Sequence, residues 1–404
     1  MPHSTSKQSD AVLEFLCDRR FHQQFTYVHE NERRRVTYSD YGDSTSKSVI
    51  LFFGGLMGAR FSYSPLDQLA RKHNVRIIHP DRPGVGGSDP TTIENRIPTY
   101  IDMVPRLLSH LGIEHVALAS HSFGTIYLLN TMLAYPHLLH PRKPYVAFFA
   151  PWVHPEHTGI RHLQAAEMLP GSLIGKFSSL AQFVNDSILP LTGMSAGLSS
   201  AVVNSVRSSL PQSIAPDVQI PLATQTDGTR QIDNNGLNEI DLNNQAVVNE
   251  LRELIPTFLF AEGVAGAGQD TQLCLRKPRS IPWCTPLRHW DDHDDAVRQL
   301  RQIISTEELE NEERRAWQIE TFHAETDSLV GKNGQTWFDG AWTGEEITES
   351  RHPDAIRYSS RIVKGSDHDF ILDPAFGASE TWLKQVSESF TSCQLDEGLP
   401  GSGR

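Results

Sequence analysis

Apolar residues in the first 150 positions form two kinds of run that alternate along the chain. Four short continuous runs are typical of strands buried on both faces: SVILFF (48–53), NVRIIHP (74–80), HVALAS (115–120) and YVAFFAPW (145–152). Three longer runs have the apolar spacing of helices: 64–73, 99–112, which Pro105 is expected to interrupt, and 123–136. The alternation predicts an α/β architecture, in which parallel βαβ units form one sheet with helices on both faces.

Further strands and helices are predicted at the two ends of the chain. Two β-branched and aromatic runs, 25–29 and 33–42, come first and predict an antiparallel strand pair. The alternation stops after residue 155 and resumes near residue 315. The last part of the chain predicts two strands and two helices: strands at 315–325 and 355–365, and helices at 334–342 and 379–390.

The middle third of the chain has a different composition. Residues 208–247 are rich in Asn, Gln, Ser, Thr and Asp. Such a segment buries too little apolar surface to become ordered, so we expect it to be disordered. Helical spacing returns on either side of it, at 160–207, 246–264 and 289–305. We therefore predict one sheet domain with a mainly helical cap inserted into it: a core of residues 1–154 and 313–404, and a cap of residues 155–312.

Charge and composition narrow the classes of function. The chain has 404 residues, with 36 Lys and Arg against 49 Asp and Glu, and its net charge is −13. An acidic surface repels phosphate groups, so we expect neither nucleic-acid binding nor docking on anionic membranes. No apolar run is long enough for membrane insertion, and the N-terminus lacks the pattern of a signal peptide. The four cysteines form no CxxC pair, which argues against structural zinc. Cys274 and Cys284 could in principle form a disulfide, but so few cysteines in so long a chain favour a reducing compartment, hence a cytoplasmic protein.

A serine stands between a predicted strand and a predicted helix, in the pentamer SHSFG (120–124). The sharp turn of a nucleophile elbow needs small residues two positions before and two positions after its serine. Ser120 and Gly124 meet this requirement on either side of Ser122. The pentamer therefore predicts Ser122 as a catalytic nucleophile.

Glycines follow the third predicted strand, in the stretch GGLMG (54–58). An oxyanion hole needs two backbone N–H groups that point at one position. Glycine lets the backbone turn inward there, and the residue after the nucleophile supplies the second donor. We predict that the N–H groups of Leu56 and Phe123 form this hole and that Gly55 permits the turn.

Candidates for the base and the acid follow the last two strands. His368 comes after the final strand, where it can reach a serine at the same edge of the sheet. The acids near it in position are Glu320, Glu325, Asp327, Asp367 and Asp369. Asp327 lies on the loop that leaves the penultimate strand and has room to reach the histidine, so we predict it as the acid.

Two weaker patterns predict no further site. The stretch GVGG (84–87) lacks the third glycine of a dinucleotide-binding loop, and no helix opens on it. The acidic run DDHDD (291–295) is expected to be a solvated helix start, because neighbours in sequence do not converge on a metal ion.

The motifs together resemble the α/β-hydrolase superfamily. The resemblance rests on five segments: GGLMG (54–58), DRPGVGGSD (81–89), SHSFG (120–124), and the segments around Asp327 and His368. It implies the α/β-hydrolase fold, on which nucleophile, acid and base follow in the order of Ser122, Asp327 and His368. Gly54 departs from the family, since many members have His there, and Ser120 replaces a glycine. Neither departure removes a backbone donor.

The resemblance implies a serine hydrolase for an ester, thioester or related acyl bond of a small, partly apolar substrate, with no metal and no organic cofactor. Trp152 and His154 follow the strand where the cap begins and are candidates for binding that substrate. A serine disfavours haloalkane dehalogenases and epoxide hydrolases of this superfamily, which use a carboxylate nucleophile. Carbon–carbon bond hydrolases, aminopeptidase-type members, acyltransferases and non-hydrolytic ligand receptors remain alternatives, and the oligomeric state stays open.

Overall fold

The computed structural model of the chain describes residues 3–161, 163–164, 238–263, 265–307, 315–343 and 356–394, with side chains from residue 10 to residue 391 of these ranges. Most of the predicted helical stretch 160–207 and most of the predicted disordered segment 208–247 lie outside the described residues.

The described part of the chain contains one sheet of eight strands. The strands are β1 (Gln23–His29), β2 (Glu32–Gly42), β3 (Val49–Phe53), β4 (Arg76–Pro80), β5 (Ala117–His121), β6 (Tyr145–Phe149), β7 (Trp317–Thr326) and β8 (Ile356–Asp367). They lie side by side in the order β1-β2-β4-β3-β5-β6-β7-β8. Strand β2 is antiparallel to both of its neighbours, and the remaining pairs are parallel. The predicted mostly parallel sheet is confirmed.

Helices cover both faces of this sheet. Those in the described residues are α1 (His3–Leu16), α2 (Leu66–Lys72), α3 (Arg96–His110), α4 (Gly124–Ala134), α5 (Pro155–Thr158), α6 (Gln245–Glu262), α7 (Ala265–Cys274), α8 (His293–Thr306), α9 (Gly331–Thr343) and α10 (Ala378–Gln394). Helices α3, α4, α8 and α9 pack on one face, and α1, α2, α6 and α10 pack on the other.

Strand β3 is apolar at every position because both of its faces are covered. Val49, Leu51 and Phe53 point into the core on one face of the sheet. Ile50 and Phe52 point into the core on the other face. Because successive side chains of a strand point to opposite faces, a strand covered on both sides needs apolar residues at every position.

Helix α3 differs from its prediction. It runs without a break through Pro105, whose ring was expected to interrupt it. The apolar residues Tyr100, Val104 and Leu107 are all buried on the sheet. Tertiary burial of this face stabilises the helix enough to tolerate one missing backbone hydrogen bond.

The segment between β6 and β7 contains α5 to α8 in its described residues. The expectation of disorder is wrong for residues 238–247, which the structure describes with Ile240 and Val247 buried and most of the residues between them exposed. Ile240 is buried, and its carbonyl accepts a hydrogen bond of 2.7 Å from the Gln68 side chain. Glu239 pairs with Arg71 at 2.8 Å. Buried Ile240 and Val247, the partly buried Leu242 and the polar contacts at Glu239 and Ile240 order this otherwise polar stretch.

Two features concern the helices and the cysteines of the described residues. None of the described helices has both the length and the apolar character that crossing a bilayer requires. Cys274 and Cys284 are buried free thiols, so the bridge that their spacing would permit is not formed.

The start of α4 lies so close to the end of β3 that only glycine fits at position 124. A Cβ atom on Gly124 would lie 2.1 Å from the Phe53 carbonyl oxygen. We expect Gly124→Ala to reduce the free energy of unfolding by about 3 kcal/mol, because backbone would have to move. Gly340→Ala is the matched control, since a Cβ at this exposed position of α9 meets nothing within 4 Å. It should stabilise the helix by about 0.5–1 kcal/mol.

Urea unfolding of both variants measures the difference. Equal midpoints for Gly124→Ala and the wild type would show that the close approach of α4 and β3 does not exist in solution.

Candidate active site

Ser122 lies in a strained turn between β5 and α4. Its φ of 50° is in the left-handed region, which residues other than glycine rarely adopt. Two backbone hydrogen bonds to β6 and its loop hold the turn: the Ser122 N–H donates to the Phe149 carbonyl at 2.9 Å, and the Trp152 N–H donates to the Ser122 carbonyl at 3.1 Å. This is the geometry of a nucleophile elbow, with the hydroxyl at the carboxyl edge of the sheet.

His368 follows β8 and lies between the serine and an acid. Its Nε2 atom is 2.7 Å from the Ser122 hydroxyl oxygen, and its Nδ1 atom is 2.9 Å from Oδ2 of Asp327. The three side chains come from residues 122, 327 and 368, which are far apart in sequence. The structure therefore brings all three residues that the sequence predicted as a triad into one hydrogen-bonded series.

Asp327 is oriented by backbone groups of its own loop. Its Oδ1 atom accepts hydrogen bonds from the N–H groups of Leu329 at 2.9 Å and Val330 at 2.8 Å. This leaves Oδ2 to accept from the imidazole of His368. The carboxylate is thus held in place before any proton transfer.

The other candidate acids have other partners. Glu320 is buried in β7 and accepts from a tyrosine hydroxyl, and Glu325 accepts from a backbone N–H of β8 at 2.8 Å. Asp367 accepts from the backbone N–H three residues further on. Both ring nitrogens of His368 are engaged by the serine and by Asp327, so no nitrogen is left for Asp369.

Opposite pKa shifts mark His368 and Asp327. Burial alone would lower the pKa of His368, but the charge of Asp327 and its hydrogen bond raise that pKa above the ordinary value. Burial alone would raise the pKa of Asp327, and the interaction with His368 instead holds it below the ordinary value. The pair therefore stabilises the imidazolium that forms when a histidine accepts a proton.

The glycine loop after β3 contacts the elbow directly. A Cβ atom on Gly55 would lie 3.4 Å from Cβ of Ser122 and 2.9 Å from Nδ1 of His121. Gly55 therefore permits the close approach of the loop to the elbow. Its N–H donates to the Tyr63 hydroxyl at 2.8 Å and is not offered to a substrate. Leu56 comes next on this loop, and Phe123 precedes the first residue of α4. Their role as oxyanion donors stays a prediction.

Sequence reasoning missed two residues that join this loop to the base. The carbonyl of His368 can only accept, so Nε2 of His121 carries the hydrogen that is donated to it at 2.8 Å. In the neutral ring Nδ1 is then an acceptor, so the Tyr63 hydroxyl, which accepts from the Gly55 N–H, donates its own proton to Nδ1 at 2.8 Å. His121 lies inside the elbow pentamer, which is a signal that the sequence offered. Tyr63 belongs to no motif.

The pKa of His121 is shifted in the opposite direction to the pKa of His368. Burial, reinforced by the nearby His368 ring, lowers the pKa of His121 to about 3. A neutral imidazole with a defined tautomer is what its two hydrogen bonds require. His121 is therefore a structural bridge, and its neighbour is the group with the pKa of a base.

Trp152 and His154, predicted to bind substrate, are both buried against the inserted segment. The indole N–H of Trp152 donates to the Cys274 carbonyl at 3.3 Å, and the His154 ring lies 5.8 Å from the Trp283 ring, edge to face. Their place between the elbow and the insertion leaves substrate contact a prediction.

One group in the described part of the chain has ligand atoms close enough to hold a metal ion. These atoms, on Glu156, His157 and Asp292, lie within 4.8 Å of one another. His157 bonds to Asp292 at 3.0 Å, and the Arg276 guanidinium lies 3.7 Å from the same carboxylate. A hydrogen bond from His157 and the charge of Arg276 therefore engage the Asp292 carboxylate without a metal ion. Of the run 291–295, Asp292 alone takes part in it.

A family profile described as the alpha/beta hydrolase fold matches residues 48–140. No curated protein sequence matches the chain. The structure is similar to that of a carboxylesterase from the ammonia-oxidizing thaumarchaeon Nitrososphaera gargenis, with 14% identity, a TM-score of 0.50, and coverage of 91% of this chain and 100% of the other.

A second similar structure is a haloalkane dehalogenase from Bradyrhizobium elkani, with 12% identity, a TM-score of 0.50, and coverage of 91% of this chain and 99% of the other. At these identities the structural similarity shows the fold alone. The α/β-hydrolase fold that the sequence predicted is confirmed.

We expect His121 and His368 to have opposite charge states in mildly acidic solution. At about pH 5, His121 should be neutral because its pKa is about 3, and His368 should be protonated because its pKa lies above the ordinary 6.5. Nitrogen-15 NMR of the imidazole rings measures both states, with His121→Gln and His368→Gln used for assignment. A protonated His121 ring at this pH would contradict the hydrogen-bond bridge.

Proposed function

We propose that this chain, an α/β hydrolase, is a serine hydrolase that cleaves an ester, thioester or related acyl bond of a small, partly apolar substrate. The proposal rests on one observation above all. Ser122, His368 and Asp327 form a continuous hydrogen-bonded series at 2.7 and 2.9 Å, at the edge of the sheet where the elbow presents its hydroxyl.

In the first half of the proposed reaction, the Ser122 oxygen attacks the acyl carbon. His368 accepts the hydroxyl proton at Nε2, and Asp327 stabilises the resulting imidazolium through Nδ1–H. Negative charge develops on the former carbonyl oxygen, where the N–H groups of Leu56 and Phe123 are proposed to donate to it. His368 then returns its proton to the leaving alcohol or thiol, and the acyl group stays on Ser122.

In the second half, water takes the place of the leaving group. His368 removes a proton from the water molecule, and the hydroxide attacks the acyl carbon of the Ser122 ester. The carbon–oxygen bond to Ser122 breaks, His368 returns the proton to the serine oxygen, and a carboxylic acid leaves.

A serine nucleophile favours acyl substrates for a chemical reason. Attack of a serine oxygen on a saturated carbon, as in an alkyl halide, would leave an ether on the enzyme. Water does not hydrolyse an ether under mild conditions, whereas the same histidine that forms an acyl ester can direct its hydrolysis. Ser122 is therefore better suited to acyl transfer than to dehalogenation.

We expect Ser122→Ala to abolish covalent labelling by a fluorophosphonate and to lower turnover of a p-nitrophenyl ester by at least about 10³-fold. Ser120→Ala is the matched control in the same pentamer. Its hydroxyl is buried and lies 3.4 Å from the hydroxyl of Thr125. Labelling followed by peptide mapping measures the result, and undiminished labelling of Ser122→Ala would refute the nucleophile. A wild-type chain that neither labels nor turns over ester would favour a non-hydrolytic receptor.

Asp327→Asn should lower turnover by about 10⁴-fold while the melting temperature stays near that of the wild type. An amide at this position still accepts the two backbone hydrogen bonds at Oδ1, but it does not stabilise the imidazolium of His368. Glu325→Gln is the control on the same strand end, because Glu325 bonds to the Gly365 N–H instead of the histidine. Steady-state kinetics of both variants decide the assignment, which is wrong if Glu325→Gln is the impaired one.

A further inference from the structure

A buried guanidinium lies beneath the glycine loop that follows β3. Arg82, just after β4, is 3% exposed. Its Nη1 atom donates to the Gly54 carbonyl at 2.6 Å, and its Nη2 atom donates to the carbonyls of Gly55 at 2.7 Å and Leu56 at 2.8 Å. One side chain thus holds three consecutive carbonyl groups of the loop.

These bonds also set the direction of the N–H groups in the loop. In a trans peptide, the C=O of one residue and the N–H of the next point in opposite directions. Because Arg82 holds the Gly55 carbonyl, the Leu56 N–H must point away from the guanidinium. The Gly58 N–H donates to the same Gly55 carbonyl at 2.8 Å and supports this orientation. A flipped peptide would instead turn a carbonyl oxygen toward the position of the oxyanion.

The remaining bond of the guanidinium goes to the inserted segment. Nε of Arg82 donates to Oδ2 of Asp270 in α7 at 2.7 Å. Oδ1 of Asp270 accepts from Nε of Arg96 at 2.7 Å and from the Tyr127 hydroxyl at 2.9 Å. Asp270 is fully buried, so every one of these bonds is shielded from water.

The carboxylate of Asp270 balances the positive charges of two buried arginines. Arg82 and Arg96 are two positive charges, and the carboxylate of Asp270 bonds to both. Burial alone would raise the pKa of Asp270, but the two guanidinium groups hold it below the ordinary value. Without the carboxylate, two like charges would face each other in a medium of low dielectric constant.

The backbone of α7 docks on the same turn as the side chain. The Gly266 N–H donates to the Gly84 carbonyl at 2.8 Å. A Cβ atom on Gly266 would lie 2.3 Å from the Pro83 carbonyl oxygen, so a side chain here would push α7 off the turn. The register of α7 on residues 83–84 therefore decides whether Asp270 reaches Arg82.

We propose that Asp270 is a positioning residue of the oxyanion site: through Arg82 it locks the Gly55–Leu56 peptide with its N–H toward the substrate. The inserted segment then contributes to the active site through Asp270 of α7. This inference rests on the proposed function, since an oxyanion site has a use only if an acyl bond is cleaved. Asp270 itself does not touch the reacting atoms.

Arg82→Lys is the first test, because an ammonium keeps the charge but cannot span three carbonyls and a carboxylate. We expect its kcat for a p-nitrophenyl ester to fall at least about tenfold, with KM within about threefold, because the lost contact acts in the transition state. Its affinity for a trifluoromethyl ketone, which forms a tetrahedral oxyanion adduct, should fall in parallel with kcat.

Arg60→Lys is the matched control. Arg60 is a second buried arginine that joins the core to the insertion, through Asp81 at 2.8 Å and Glu262 at 2.6 Å. Arg60→Lys should lower the melting temperature but leave kcat near that of the wild type. Equal losses of kcat in Arg60→Lys and Arg82→Lys would overturn the proposal, because both would then act through general destabilisation.

Asp270 is tested by Asp270→Asn, which we expect to reduce kcat as Arg82→Lys does. Tyr127→Phe removes one hydrogen bond from the Asp270 carboxylate. This variant replaces Asp270→Asn as the test if Asp270→Asn does not fold. We expect Tyr127→Phe to lower kcat about threefold with KM unchanged. Wild-type kcat in a folded Asp270→Asn, or in Tyr127→Phe when Asp270→Asn does not fold, would overturn the role of Asp270.

A readout that needs no activity separates this inference from the proposed function. Amide hydrogen exchange of a peptide covering residues 54–58 should be faster in Arg82→Lys and unchanged in Arg60→Lys. Faster exchange in a protein whose wild type cleaves no ester would support the locked loop and reject the proposed function. Unchanged exchange in an active enzyme would reject the lock alone.

Discussion

The close approach of two backbone segments is the constraint on which the site depends. At position 124 the first turn of α4 presses against the end of β3, with room for a hydrogen atom but not for a Cβ atom. This contact brings the elbow serine and the glycine loop to one point. It also requires the positive φ of Ser122, because the chain must reverse from strand to helix within a very short turn.

Near this contact, two neighbouring imidazole rings differ in their affinity for a proton. The rings of His121 and His368 have centroids 5.5 Å apart. Their pKa values move in opposite directions because Asp327 bonds to His368, whereas His121 is buried between a tyrosine hydroxyl and a backbone carbonyl. Burial penalises the charged form of both rings, and the nearby carboxylate decides which ring can accept a proton.

The inserted segment is joined to the core by charge as well as by apolar packing. Glu262 at the end of α6 pairs with Arg60, and Asp270 in α7 pairs with Arg82 and Arg96. Both carboxylates meet arginines on the loops that follow the central strands. Removing one partner of such a buried pair costs much free energy, because it leaves an uncompensated charge in the core.

The sequence by itself determined the alternation of strands and helices and the small residues around Ser122, because both follow from local periodicity or turn chemistry. The order of Ser122, Asp327 and His368 was predicted from the resemblance to the α/β-hydrolase superfamily, and local periodicity does not supply it. Only the tertiary structure decided that Tyr63 reaches His121 and that Asp270 reaches Arg82 beneath the loop after β3. These two contacts join residues 58 and 188 positions apart, and no local pattern predicts them. For the same reason, residues 238–247 are ordered although their composition is polar. The core offers Ile240 a buried site that the composition does not reveal.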